Sequence, residues 1–155
     1  MNNDSLVEHL SEHFSESDTK NFDVLDFVGA FGSPLLALAY SKLIWPDFST
    51  YKDMIFLSEF LDDECKGRID LMLEEGSSAK QIEESFNFFE VPSSFFGRNA
   101  GDTVVEEDLQ LARVLSETWS AKLARDFPSL DFRVLVLNDP EETGGEIGIQ
   151  FFRVH

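Results

Sequence analysis

Between Thr103 and Val136 the chain carries an apolar pattern that calls for a long helix running through a short turn into a strand. Val105, Leu109, Ala112, Leu115, Trp119 and Leu123 recur at steps of three and four, which places them on one buried helical face. Thr103 followed three residues later by Glu106 reads as a capping box, in which hydroxyl and carboxylate each satisfy an amide the first turn leaves unpaired. Glu106, Glu107 and Asp108 suit the positive end of the helix dipole, and Lys122 and Arg125 suit its negative end. Leu111 and Val114 widen the stripe. Phe127-Pro128 stops the helix, because a residue before proline is pushed out of the helical region. Beyond the turn, Phe132, Val134 and Val136 alternate with Arg133, Leu135 and Leu137, a second set apolar enough that cover on both sides is expected.

The rest of the chain supplies what this unit packs against. Residues 4 to 16 carry Leu6, Val7, Leu10 and Phe14 at helical spacing, a thinly apolar and peripheral helix within residues 1 to 20. A second apolar stretch from Phe22 to Phe31 also reads as helical. Ser33-Pro34 opens a further helix by a stated mechanism: serine caps, and proline loses nothing at a position whose amide is unpaired anyway. That helix carries Leu35, Leu36, Leu38, Tyr40, Leu43 and Ile44, apolar nearly all round, so it is expected to be the most buried. Trp45-Pro46 closes it. After a turn at residues 47 to 50 comes a strand over 51 to 58 with Met54, Ile55, Phe56 and Leu57.

Asp62, Asp63 and Glu64 open a helix that ends at Gly76, and Ser77 or Ser78 begins another through Ile82, Phe86 and Phe89. A turn-rich segment follows, with Phe95 and Phe96 either tucked inward or forming a contact. The chain closes on a hairpin whose long acidic loop, residues 138 to 145, leads to Ile147, Ile149 and Phe151 on one strand face. Helices, one strand, helices and two strands define an α+β domain over residues 1 to 155. Its expected sheet is small, antiparallel or mixed, of about three strands including the hairpin, with several helices packed mainly on one side.

Thirty acidic against twelve basic residues leave a net charge of −18. The excess is spread: residues 1–33 balance to −6, 34–78 to −5, 79–101 to −1 and 102–155 to −6. Such a chain repels nucleic acid and anionic membranes and attracts basic surfaces. Hydrophobic residues at 43%, with sixteen Phe, sustain a packed core. The lone Cys65 excludes an internal disulfide and a multi-cysteine zinc site and fits a reducing compartment. With no basic, apolar leader in MNNDSLVEHLSEHF and no run of roughly 20 apolar residues, a cytoplasmic location without membrane attachment is expected.

No template for a phosphate loop, a nucleophile elbow or a calcium loop is present in the sequence, so no catalytic residue and no cofactor is assigned. One pattern carries chemistry: His9-Leu10-Ser11-Glu12-His13 matches H-x-x-E-H, in which His9 and His13, one helical turn apart, bind zinc and the glutamate acts as base. A third ligand is missing from the pattern, which makes a metal-dependent hydrolase the alternative reading. The leading expectation is a non-catalytic domain of inhibitor or immunity type that binds a basic protein. Its candidate contacts are Asp62, Asp63 and Glu64, the loop acids Asp139, Glu141 and Glu142, and the aromatics Phe95 and Phe96.

Overall fold

A computed structural model describes residues 23–91, 105–138 and 147–154. Among these residues the order is α1 (Val24–Phe31), α2 (Pro34–Ile44), β1 (Phe48–Tyr51), β2 (Met54–Leu57), a 3-10 turn (Ser58–Phe60), α3 (Asp63–Glu74), α4 (Ala79–Phe86), β3 (Phe88–Glu90), α5 (Val105–Asp126), β4 (Phe132–Leu137) and β5 (Gly148–Arg153). Both sheets are antiparallel: a β1-β2 pair and a three-stranded sheet in the order β3-β5-β4. The fold is α+β with a carboxy-terminal hairpin, as the sequence pattern implies. The chain divides into two units, one up to Ser41 and one from Lys42 onward.

In the first unit, α1 starts from a capping box in which the Asp23 side chain accepts from the amides of Leu25 and Asp26 while Asp26 accepts from the Asp23 amide. Ser33 begins α2 as expected, its hydroxyl accepting from the Leu36 amide with Pro34 at the first helical position. The burial expected of α2 is not found. Leu35 is 76% exposed and Leu38 66%, and no residue of α1 or α2 is fully buried. A helix apolar on every face gives no indication of which face is covered. Leu43, in the last turn of α2 and part of the second unit, packs on that unit's own core.

The second unit has two apolar centres. One gathers Ile55, Leu57, Val91, Ala112, Leu115, Trp119, Leu123, Ile147, Ile149 and Phe151 between α5 and the sheets. The other joins Met54 and Phe56 of β2 to Ile69 of α3 and Ile82 of α4. Trp119 is the hub of the first: its indole N–H donates to the Leu43 carbonyl at 2.8 Å, and its ring meets Phe48, Phe89 and Phe151 edge-on. The α5 stripe is as read from the sequence at Ala112, Leu115, Trp119 and Leu123, whereas Val105 and Val114 are exposed. Thr103 of the expected capping box lies outside the described residues.

Three further expectations are corrected. A single strand over 51–58 is instead a hairpin whose turn residues Lys52 and Asp53 both have positive φ, 47° and 63°, the geometry of a tight primed turn. Phe88 and Phe89, read as the end of a helix, form β3 with Glu90, because α4 ends at Phe86 and Asn87 leads the chain onto the edge of β5. The strand β4 is covered on one side only: Phe132, Val134 and Val136 pack on α5, while Arg133 and Leu135 face outward. The central β5 differs in that Ile149 and Phe151 on one face and Phe152 on the other are all buried.

Candidate functional site

The described part of the candidate contact surface is the start of α3. Asp62 caps this helix, its carboxylate accepting from the Cys65 amide at 2.7 Å. Asp63 points fully into solvent and pairs with Lys66 at 3.1 Å, and Glu64 is likewise exposed. Asp62 and Asp63 thus first serve the helix, as acids at a positive helix end do, and Glu64 completes an acidic rim.

Sequence reasoning missed the aromatic neighbour of that rim. Phe60 is 44% exposed and stacks on Phe89 with ring centroids 6.3 Å apart. Together with Asp62, Glu64, Cys65, Arg68, Ser85 and Phe86 it lines an open cleft of about 350 Å³. The available signal was its position between Glu59 and Asp62, an aromatic set among acids rather than in an apolar run. Arg68 lies over the Phe86 ring at 5.0 Å and supplies the cleft's basic group. Burial, followed by the nearby Asp62 carboxylate, pushes the Cys65 thiol up, which disfavours the thiolate a nucleophile needs. The cleft therefore offers carboxylates, one guanidinium and an aromatic face.

Beside it, Asp70 receives the Tyr51 hydroxyl at 2.9 Å and the Lys52 ammonium at 2.6 Å. Lys52, and after it Tyr51, holds the Asp70 carboxyl below its ordinary range, and the Asp70 carboxylate in turn raises both Lys52 and Tyr51. This triad fixes the β1-β2 turn to α3.

Two buried polar side chains tie distant elements together. Glu83 and Asn87 are completely buried. One carboxyl oxygen of Glu83 accepts from the Ile55 amide at 3.0 Å and the other from the Arg153 amide at 2.8 Å, while the Asn87 side-chain amide donates to the Ile55 carbonyl at 2.8 Å. On the edge of β2 turned away from β1, α4 thus takes the place of a missing strand and ties β2 to β5.

Asp139, Glu141, Glu142, Phe95, Phe96, His9, Glu12 and His13 lie outside the described residues. Among the described residues no group of three or more His, Cys, Asp or Glu side chains is placed to hold a metal ion, and no helix is long and apolar enough to cross a membrane. What the fold defines is the α+β class. Compared with protein-family models, curated proteins and solved structures, the chain has no match in any of the three.

Proposed function

We infer that this protein is a non-catalytic binding domain for a basic protein, acting as an inhibitor or immunity protein does against a cationic target. The observation that carries the reading is the net charge of −18, spread over every segment of the chain. Described acids at Glu59, Asp62, Asp63, Glu64, Glu74 and Glu75 are solvent-exposed and so add to the external field. A field of this sign speeds the encounter with a basic surface, and close docking then depends on a few aromatic anchors with water excluded around them. Phe60, rimmed by Asp62 and Glu64, has the form of such an anchor. Asp139, Glu141 and Glu142, with Phe95 and Phe96, are the further candidate contacts.

The test is affinity capture from the source cell's lysate at low and at high salt, followed by reconstitution with the purified captured protein. A basic protein that forms a stoichiometric complex, associates more slowly as salt rises and is weakened by Phe60→Ala supports the reading. Recovery of no basic protein under either condition refutes it.

A further inference from the structure

The outer edge of β4 is a row of backbone groups that the fold leaves open. In the sheet order β3-β5-β4 this strand has a neighbour on one side only. Phe132 to Leu137 pair with Arg153 to Gly148, and one step beyond them the Val154 amide donates to the Asp131 carbonyl at 2.8 Å. Antiparallel pairing alternates, so Asp131, Arg133, Leu135 and Leu137 turn their amides and carbonyls toward β5, whereas Phe132, Val134 and Val136 turn theirs outward. The β3 side agrees: the Val91 amide donates to the Ile147 carbonyl and the Phe151 amide to the Asn87 carbonyl, which leaves the even-numbered residues of β5 for β4. Among the described residues the one hydrogen bond on the outward row is long, from the Ser116 hydroxyl to the Val134 carbonyl at 3.5 Å. A row of unpaired amides and carbonyls is a template for a further strand.

The side chains select which strand. Arg133 is the only charged residue of β4 and is exposed, and Leu135 on the same face is 38% exposed. In a chain of net charge −18 this edge is locally positive, which disfavours a strand from a cationic protein. A second copy suits it. With a two-fold axis at Val134, Val134 meets its own counterpart, Phe132 lies opposite Val136, and Arg133 lies opposite Leu135. The apolar row stays on the α5 side in both copies, and within the strand no carboxylate faces another. We propose that β4 is a dimerisation strand, through which two copies of this chain join edge to edge and merge their three-stranded sheets into one continuous antiparallel sheet. The amides of Phe132, Val134 and Val136 then each find a carbonyl on the other copy. The inference does not rest on the basic-target reading.

The experiment is sedimentation velocity of the full chain from about 1 µM to about 1 mM, repeated for three variants. A reversible monomer–dimer equilibrium is expected. Leu135→Glu sets a carboxylate opposite each Arg133 and should tighten the dimer by about twofold to thirtyfold, although an acid added elsewhere to so negative a chain increases repulsion between copies. Leu135→Lys, opposite the same arginine, should weaken it by a comparable factor. Val134→Pro removes an outward amide that β5 does not use, so this variant should fold and be monomeric. Leu135 is exposed, so the two variants there read the register even where Val134→Pro costs packing. A monomer at every concentration overturns the proposal and leaves the edge to a strand of another protein. A dimer unmoved by folded Val134→Pro, or one that Leu135→Glu does not tighten, overturns it as well, placing the contact elsewhere or in another register.

Discussion

Replacing Glu83 tests the claim that one buried side chain joins the two sheets. In Glu83→Gln one oxygen remains to accept from the Ile55 amide or the Arg153 amide, but the other position becomes an NH₂ group facing an N–H donor. One buried amide is left unpaired, which costs about 1–3 kcal/mol. Glu83→Ala strands both amides and adds an unfilled space, so its cost is about 3–6 kcal/mol. In a protein of this size each kcal/mol lowers the melting temperature by about 2–4 °C. The Gln variant should therefore melt about 2–12 °C lower. Urea unfolding followed by Trp fluorescence reads both variants against wild type. Both variants within about 0.5 kcal/mol of wild type, at unchanged denaturant slope, would refute the bridging role. The ordering matters as much as the size: Ala must lose more than Gln, since only Ala removes both acceptors.

Trp119→Ala removes the hub of the main core together with the hydrogen bond to the Leu43 carbonyl, and is expected to cost about 3–5 kcal/mol in the same assay. Asp53→Gly relieves a positive φ of 63° and should raise stability by about 0.5–1 kcal/mol, the relief exceeding the added freedom of the unfolded chain. Asp70 has a lowered carboxyl in the folded state, so its contribution is fully present above its ordinary value of 3.8 and is lost as pH falls through the lower folded value. The stability gap between wild type and Asp70→Asn should accordingly stay constant from neutrality down to about 3.8 and close as pH falls from there through the lower folded value. Purified protein is expected to carry no stoichiometric zinc and to melt at the same temperature with and without a chelator. Zinc at one equivalent, lost in His9→Ala/His13→Ala, would favour the metal-dependent alternative.

What the sequence made legible was the structure set by local periodicity. The α5 stripe, the Ser33-Pro34 start and the Phe132–Val136 alternation each follow from spacing within a few residues, and each has its element in the structure. What escaped reading depends on neighbours distant in the chain. Lys52-Asp53 lacks the glycine or asparagine that announces a primed turn, so the β1-β2 hairpin passed for one strand. The segment at residues 88–90 is a strand because the distant β5 pairs with it, and its Phe-Phe sequence does not separate strand from helix end. Glu83 looked like any surface acid of a short helix until the free edge of β2 was placed against it. Of the candidate contacts, the α3 acids were visible as a cluster, whereas Phe60 was not, since exposure of a lone aromatic is decided by packing rather than by pattern.

The position of β5 between β3 and β4 also bears on how the protein is made. During synthesis β3 and β4 emerge first, yet they do not pair with each other, and the strand that joins them comes off the ribosome after both. Until Gly148 to Arg153 have emerged, the amides and carbonyls that face β5 must rely on water or a chaperone. The nascent chain is thus most open to aggregation just before this sheet can close.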